Sequence, residues 1–121
     1  MTVDRVRNPW RLHSAVVVFD VETECGKVWT EADKRRRKFL CGVVYDYDTG
    51  RFQEYKSAAP LVRHLRRARV IVSYNGEGFD FLVPAKHGLK LKPCGDRFQP
   101  VGVRSLDIMH EIQTSEGPIG R

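Results

Sequence analysis

The sequence predicts one α/β domain in which helices pack on a mixed β-sheet. A continuous apolar, β-branched run at 14–19 is typical of a strand that is buried on both faces. Two further strand patterns, at 39–47 and 51–55, are joined by a turn, and helix and strand patterns alternate after residue 57. With 121 residues, the chain is long enough for one hydrophobic core and too short for two.

The first half of the chain is predicted to form an antiparallel meander of three strands. The strand at 14–19 is followed by a polar stretch at 24–38, which shows no hydrophobic period and is interpreted as a loop. The patterns at 39–47 and 51–55 then form a hairpin, because Asp, Thr and Gly at 48–50 are residues that tight turns favour.

The second half is predicted to alternate between helices and parallel strands. Pro60 suits the first turn of a helix, where its missing N–H costs nothing. Apolar residues follow at the helical period, and Arg63, Arg66 and Arg67 fall on the opposite side of this helix. The remaining predicted elements are a strand at 70–74, a helix at 79–87, a loop at 89–100, a strand at 101–106 and a short helix at 107–112.

Composition and charge indicate the class of partner. The net charge of +6 favours an anionic partner, most often nucleic acid, and no apolar run is long enough to cross a membrane. Residues 1–13 are interpreted as a basic N-terminal arm without a secretory signal, and 14–121 as the folded domain. Cys25, Cys41 and Cys94 match no zinc pattern, so we expect free thiols and a cytoplasmic protein.

The stretch Phe19–Thr23, F-D-V-E-T, places two carboxylates directly after the first apolar strand. On a strand, Asp20 and Glu22 share a face and lie roughly 6–7 Å apart. Oxygen ligands at this separation suit one or two hard divalent cations, Mg²⁺ or Mn²⁺. The alternative is that the two acids only end the strand and cap the next element.

A second group of polar residues lies at 73–80, S-Y-N-G-E-G-F-D. Here a buried strand runs into a turn that contains glycine, and Asp80 stands near the start of the next predicted helix. The N-terminal end of a helix favours negative charge, whether a carboxylate or a phosphate. Asp80 is therefore either a functional acid or an ordinary helix cap.

Taken together, the two stretches resemble the Exo I and Exo II motifs of the DEDD-type 3′–5′ exonucleases, in the RNase H-like superfamily. Exo I, F-D-x-E-T, is matched by 19–23, and Exo II, an Asn followed by F-D, is matched by 75–80. The hairpin at 39–55 and the triplet Leu-Asp-Ile at 106–108 also resemble this family. The variant seen in YprB-like proteins and beside some bacterial helicases is particularly similar.

The resemblance implies a metal-dependent 3′–5′ exonuclease that acts on a single-stranded end of DNA or RNA. It implies that Asp20, Glu22 and Asp80 are catalytic ligands of a two-metal Mg²⁺ or Mn²⁺ site. We assign six residues to a nucleic-acid-binding surface, three from the motifs and three from the arginine helix: Thr23, Asn75, Phe79, Arg63, Arg66 and Arg67. The arginine side of the helix is either a phosphate-binding patch or an ordinary solvated face.

The family also has a fourth Asp and a His or Tyr on a later helix, and no residue after Ile112 matches them. Asp107 is either a substitute ligand or the cap of its own helix. We therefore expect a domain truncated at its C-terminal end, or one that receives the helix from a second copy or a partner chain. A module that binds nucleic acid without cleaving it is the alternative function.

Two further features have an open interpretation. The basic run at 34–38 is either a phosphate-binding patch or a solvated face. Trp10, Trp29 and Phe98 either stack on bases or pack in the protein, and packing is expected for the last two.

Overall fold

The computed structural model describes residues 15–24 and 30–116. No helix within these ranges is long and apolar enough to cross a membrane. In chain order, the elements are β1 (Val16–Thr23), α1 (Glu31–Arg36), β2 (Phe39–Asp46), β3 (Arg51–Tyr55), α2 (Ala58–Arg67), β4 (Val70–Ser73), a π-helical turn (Gly76–Asp80), α3 (Leu82–Ala85), β5 (Leu91–Cys94), β6 (Arg97–Pro100), β7 (Arg104–Asp107) and α4 (Ile108–Glu116).

Five strands form one mixed sheet in the order β3-β2-β1-β4-β7. Strand β2 is antiparallel to both β1 and β3, whereas β4 is parallel to both β1 and β7. A parallel neighbour cannot be reached through a tight turn, so helices connect the parallel strands. The predicted mixed sheet, an antiparallel meander followed by parallel strands, is confirmed.

One side of the sheet, the covered face, packs against helices and holds the hydrophobic core. Val17, Phe19 and Val21 alternate along β1, and all three are buried. Helix α2 contributes Leu61, which is fully buried. The ring of Phe81 stacks on that of Phe19 with the centroids 5.1 Å apart. These contacts pack β1, the middle strand of the sheet, into the core.

The opposite side of the sheet, the open face, carries an apolar row that crosses all five strands. Its members are half-buried or exposed, and the strand register places them side by side: Phe52, Tyr45, Val18, Val72 and Leu106. Because side chains alternate along a strand, Asp20 and Glu22 lie on this same face. The acids of the first motif thus border an apolar surface.

The polar stretch at 24–38, predicted as a loop, contains helix α1. The Thr30 hydroxyl accepts a hydrogen bond from the Asp33 N–H at 3.1 Å, and Glu31 pairs with Arg35 at 2.9 Å one turn later. None of the six described residues of α1 is buried. A cap and side-chain pairs hold this helix, and neither produces a hydrophobic period.

The stretch at 89–100, also predicted as a loop, forms a separate two-stranded sheet of β5 and β6. Its turn contains Gly95, whose φ of 65° lies in the left-handed region. Pro93 stands within β5, which an edge strand tolerates because no N–H is needed on the open side. The hairpin has little apolar alternation, so its pattern is that of a loop.

Three other boundaries differ from prediction. The helix predicted at 79–87 is a π-helical turn followed by the short helix α3. The last predicted strand and helix, at 101–106 and 107–112, begin and end later in the chain, as β7 and α4. The predicted arm at 1–13 lies outside the described residues.

Candidate metal and nucleic-acid site

Asp20 and Glu22 lie near the carboxyl end of β1. This strand continues to Thr23, beyond its predicted end, so both acids stand on the strand itself rather than after it. Both are exposed on the open face, while Val21 between them is buried in the core. The predicted shared face of the two carboxylates is therefore present.

Asp80 approaches the same end of β1 from the turn after β4. Asn75 begins this turn with a left-handed φ of 61°. A Cβ on Gly78, inside this turn, would lie 2.5 Å from the Asn75 side-chain oxygen, so the Asn75 side chain would have to move to admit it. The turn ends at Asp80, which is 6% exposed and whose Oδ2 accepts a hydrogen bond from the Val21 N–H at 3.3 Å.

Asp107 holds the turn from the neighbouring strand β7. Its Oδ1 accepts a hydrogen bond from the Asn75 N–H at 2.8 Å, and its Oδ2 accepts one from the Glu77 N–H at 3.2 Å. The N–H groups of Met109 and His110 also donate to Oδ1, at 3.1 and 3.4 Å. Asp107 is therefore the cap of α4 and an anchor of the turn, and backbone donors occupy both of its oxygens.

The carboxyl groups of Asp20 and Asp80 meet at this point. Burial raises the pKa of Asp80 to about 8, and the negative charge of Asp20 and a side-chain hydrogen bond with it act in the same direction. The charge of Asp107 adds to this, whereas the hydrogen bond from Val21 opposes it. At neutral pH, Asp80 therefore keeps its proton, in a position where a cation would relieve the same repulsion.

The donor set of the Asp20–Asp80 pair fits a hard divalent cation. Within 15–24 and 30–116, no group of three or more acidic, His or Cys side chains is arranged to hold an ion. Mg²⁺ is often held through one or two carboxylates, with waters and phosphate oxygens completing its shell. Asp20 and Asp80 satisfy that requirement.

Glu77 is a site residue that the sequence did not indicate. Its side chain lies inside the turn and is 1% exposed, and its partners come from β6 and β7. Because the pattern at 97–100 is that of a loop, the two partners on β6, Arg97 and Gln99, could not be placed on one face. A strand predicted at 97–100 would have placed Arg97 and Gln99 on one face, because side chains alternate along a strand.

The three motif residues expected to contact nucleic acid all have contacts within the protein. The Thr23 hydroxyl donates to the Glu24 carbonyl at 3.1 Å, and Asn75 shapes the turn described above. Phe79 packs against the core, and the Arg37 guanidinium lies 5.4 Å from its ring centroid. Their role toward nucleic acid stays a prediction.

The basic run at 34–38 contributes contacts to the protein itself. The Lys34 ammonium group donates to the Gly78 carbonyl at 2.9 Å, inside the turn that carries Asp80. The Arg35 guanidinium lies 5.1 Å from the ring centroid of Phe98, which is half-buried. These two cations attach α1 to the site and the hairpin. Trp10 and Trp29 lie outside the described residues.

Arg63, Arg66 and Arg67 are exposed on the outer side of α2. The inner side of this helix packs on the covered face through Leu61, whereas Asp20 projects from the open face. The three predicted nucleic-acid contacts therefore lie on the opposite side of the sheet from Asp20.

The fold of the chain resembles that of a solved polymerase. Over 83% of its length, the chain superimposes with a TM-score of 0.61 and 19% identity on the family B DNA polymerase from the hyperthermophilic archaeon Pyrobaculum calidifontis. The aligned part is 16% of the polymerase chain, so the likeness concerns a small portion of that protein and shows the fold alone. No family model and no curated protein matches the sequence. The fold is RNase H-like.

Proposed function

We propose that the chain is a divalent-metal-dependent nuclease of the 3′–5′ exonuclease type, which hydrolyses phosphodiester bonds in DNA or RNA. The observation that carries this proposal is the meeting of Asp20 and Asp80, from two separate motifs, at the carboxyl end of the central strand. The motif resemblance to DEDD-type and YprB-like domains and the RNase H-like fold support it. The free thiols of Cys41 and Cys94 are compatible with the proposed cytoplasmic setting.

Asp20 and Asp80 would hold Mg²⁺ or Mn²⁺, and Glu22 borders this pair on the open face. The cation would supply positive charge to the phosphate under attack and lower the pKa of a bound water. Asp20 is exposed and can reach substrate, whereas Asp80 is buried and fixed by the Val21 N–H. Thr23, Asn75 and Phe79 would shape the position of the terminal nucleotide.

The experiment is hydrolysis of single-stranded DNA and RNA, labelled at either end, with Mg²⁺, with Mn²⁺ or with chelator. We expect metal-dependent loss of nucleotides from the 3′ end, and loss of this activity in Asp20→Asn and Asp80→Asn. Asp96→Asn, in the exposed turn between β5 and β6, is the matched control and should retain full activity. Activity that survives Asp20→Asn would show that the assigned site is wrong.

A binding module that does not cleave is the second candidate function. It is favoured by the geometry of Asp107, whose charge reaches Asp80 but whose two oxygens are occupied by backbone N–H groups. This leaves Asp20 and Asp80 to hold a cation without a third carboxylate from β7. Salt-sensitive binding of oligonucleotides with no hydrolysis under either metal would identify this function.

A further inference from the structure

Glu77 is a buried carboxylate inside the turn that carries Asp80, three residues before it. The Arg97 guanidinium pairs with its Oε1. The Gln99 amide and the Ser105 hydroxyl donate to its Oε2, at 3.2 and 2.6 Å. Both oxygens therefore have partners, and these partners come from strands β6 and β7 rather than from the turn.

The burial of Glu77 makes these partners essential to the shape of the turn. A carboxylate that is 1% exposed is tolerated only when it is paired and hydrogen-bonded. Without these partners, the buried Glu77 carboxylate would be destabilised, and its side chain would move toward water. Because Glu77 and Asp80 share one five-residue turn, movement of Glu77 displaces the Asp80 carboxylate.

The β5–β6 hairpin lies outside the main sheet and contacts the turn through β6. An isolated two-stranded hairpin is marginally stable, so contacts of this kind hold it in place. Between Arg97 and Gln99, the side chain of Phe98 lies against Arg35 of α1. The residue before Arg35, Lys34, reaches the Gly78 carbonyl. The turn is thus fixed at Glu77 by β6 and at Gly78 by α1.

We propose that Glu77 and Arg97 are positioning residues of the metal site, and that the β5–β6 hairpin keeps the Asp80 carboxylate beside Asp20. Neither residue contacts the cation; they act through the backbone of the turn. This inference rests on the proposed function, since it concerns the cation that the Asp20–Asp80 pair would hold.

The test is Mn²⁺ binding to the full chain, measured from the electron paramagnetic resonance signal of free Mn²⁺. Arg97→Met should weaken binding by on the order of tenfold or more, as expected when a residue that supports a metal ligand is lost. Arg97→Lys retains the charge and should restore most of the affinity. Arg104→Met makes the same chemical change at an exposed position on β7 and should bind Mn²⁺ as the wild type does.

Urea unfolding establishes which variants are folded. If Arg97→Met does not fold, Ser105→Ala carries the test, because it deletes one hydrogen bond to Glu77 and should weaken Mn²⁺ binding severalfold. In hydrolysis assays, the Mn²⁺ concentration for half-maximal rate should rise while the KM for the oligonucleotide stays constant. Wild-type affinity in folded Arg97→Met or Ser105→Ala would overturn the inference alone. Absence of Mn²⁺ binding by the wild type would overturn the proposed function and this inference with it.

Discussion

The Asp80 carboxyl group lies between the backbone of β1 and the carboxyl group of Asp20, so its ionisation is linked to the stability of the fold. Its pKa is about 8 in the folded chain, against roughly 3.9 for an unperturbed Asp. Between these values, the folded state binds a proton that the unfolded state has lost. Protonation therefore stabilises the fold, and this contribution is lost as the pH rises toward 8.

The resulting prediction concerns the free energy of unfolding of the metal-free chain. Between pH 4 and pH 8, we expect Asp80 to make it fall with rising pH, by up to about 1.4 kcal/mol per pH unit. Urea titrations at several pH values measure this fall, and Asp80→Asn is the control because its amide does not ionise. Equal pH dependence in the wild type and Asp80→Asn would contradict the assigned burial of the carboxyl group.

At the scale of single residues, the sequence indicated the acids of the site better than the contacts that hold them. Asp20 and Asp80 were found because each follows a strand pattern within a short motif. From the sequence, Asp107 is either a ligand or a helix cap, and the Met109 and His110 N–H groups that donate to its carboxylate show that it is the cap. Glu77 was missed because its partners lie 20 to 28 positions away in sequence, and local patterns do not encode such polar contacts.

At the scale of elements, the turn between β4 and α3 depends on close packing around two glycines. A Cβ on Gly76 would collide with the Ser73 side chain, and one on Gly78 with the side chain of Asn75. The collision at Gly78 would be relieved by a variant that lacks the Asn75 side chain. Asn75 has a left-handed φ, which glycine adopts without cost, so Asn75→Gly keeps the backbone conformation.

Gly78→Ala should therefore reduce the free energy of unfolding by about 1–3 kcal/mol, the usual cost of overpacking. The double variant Asn75→Gly/Gly78→Ala should recover most of this loss, because the colliding oxygen is gone while the backbone conformation remains allowed. Urea unfolding of the two variants and of Asn75→Gly alone measures the coupling. Additive losses without recovery would mean that the Asn75 side chain does not set the requirement for glycine.

The strands of the main sheet were predictable because apolar residues mark them, and α1 and the β5–β6 hairpin were not. Helix α1 is held by the Thr30 cap and by pairs such as Glu31–Arg35. In sequence, the residues that make these contacts cannot be told from an ordinary polar loop. The hairpin is held by Arg97 and Gln99, which bind Glu77 of the π-helical turn, and by Leu91, which packs against the core. The polar contacts of both elements produce no hydrophobic period.

At the scale of the whole molecule, the sheet divides the charged surfaces. The arginines of α2 lie outside the covered face, and the carboxylate pair lies at the end of β1, with Asp20 on the open face. A helix packed on a sheet adds about 10 Å, and its side chains extend further. A bound strand must therefore pass around the edge of the sheet to contact both surfaces, which only a long oligonucleotide can do.

The triple variant Arg63→Ala/Arg66→Ala/Arg67→Ala should accordingly weaken binding in a manner that depends on substrate length. For an oligonucleotide of about 20 nucleotides, we expect lower affinity and a reduction of the salt slope by up to about 0.7 for each lost phosphate contact. For a trinucleotide bound at the carboxylate pair, both the affinity and the salt slope should be unchanged.

Fluorescence anisotropy over a range of salt concentrations measures the affinity and the salt slope. The control is a matched triple variant at other exposed cations: Arg51→Ala/Lys90→Ala/Lys92→Ala. Equal weakening for both lengths would mean that the arginines contact the substrate next to Asp20. This result would contradict their predicted separation from Asp20 by the sheet. No effect at either length would remove α2 from the nucleic-acid interface.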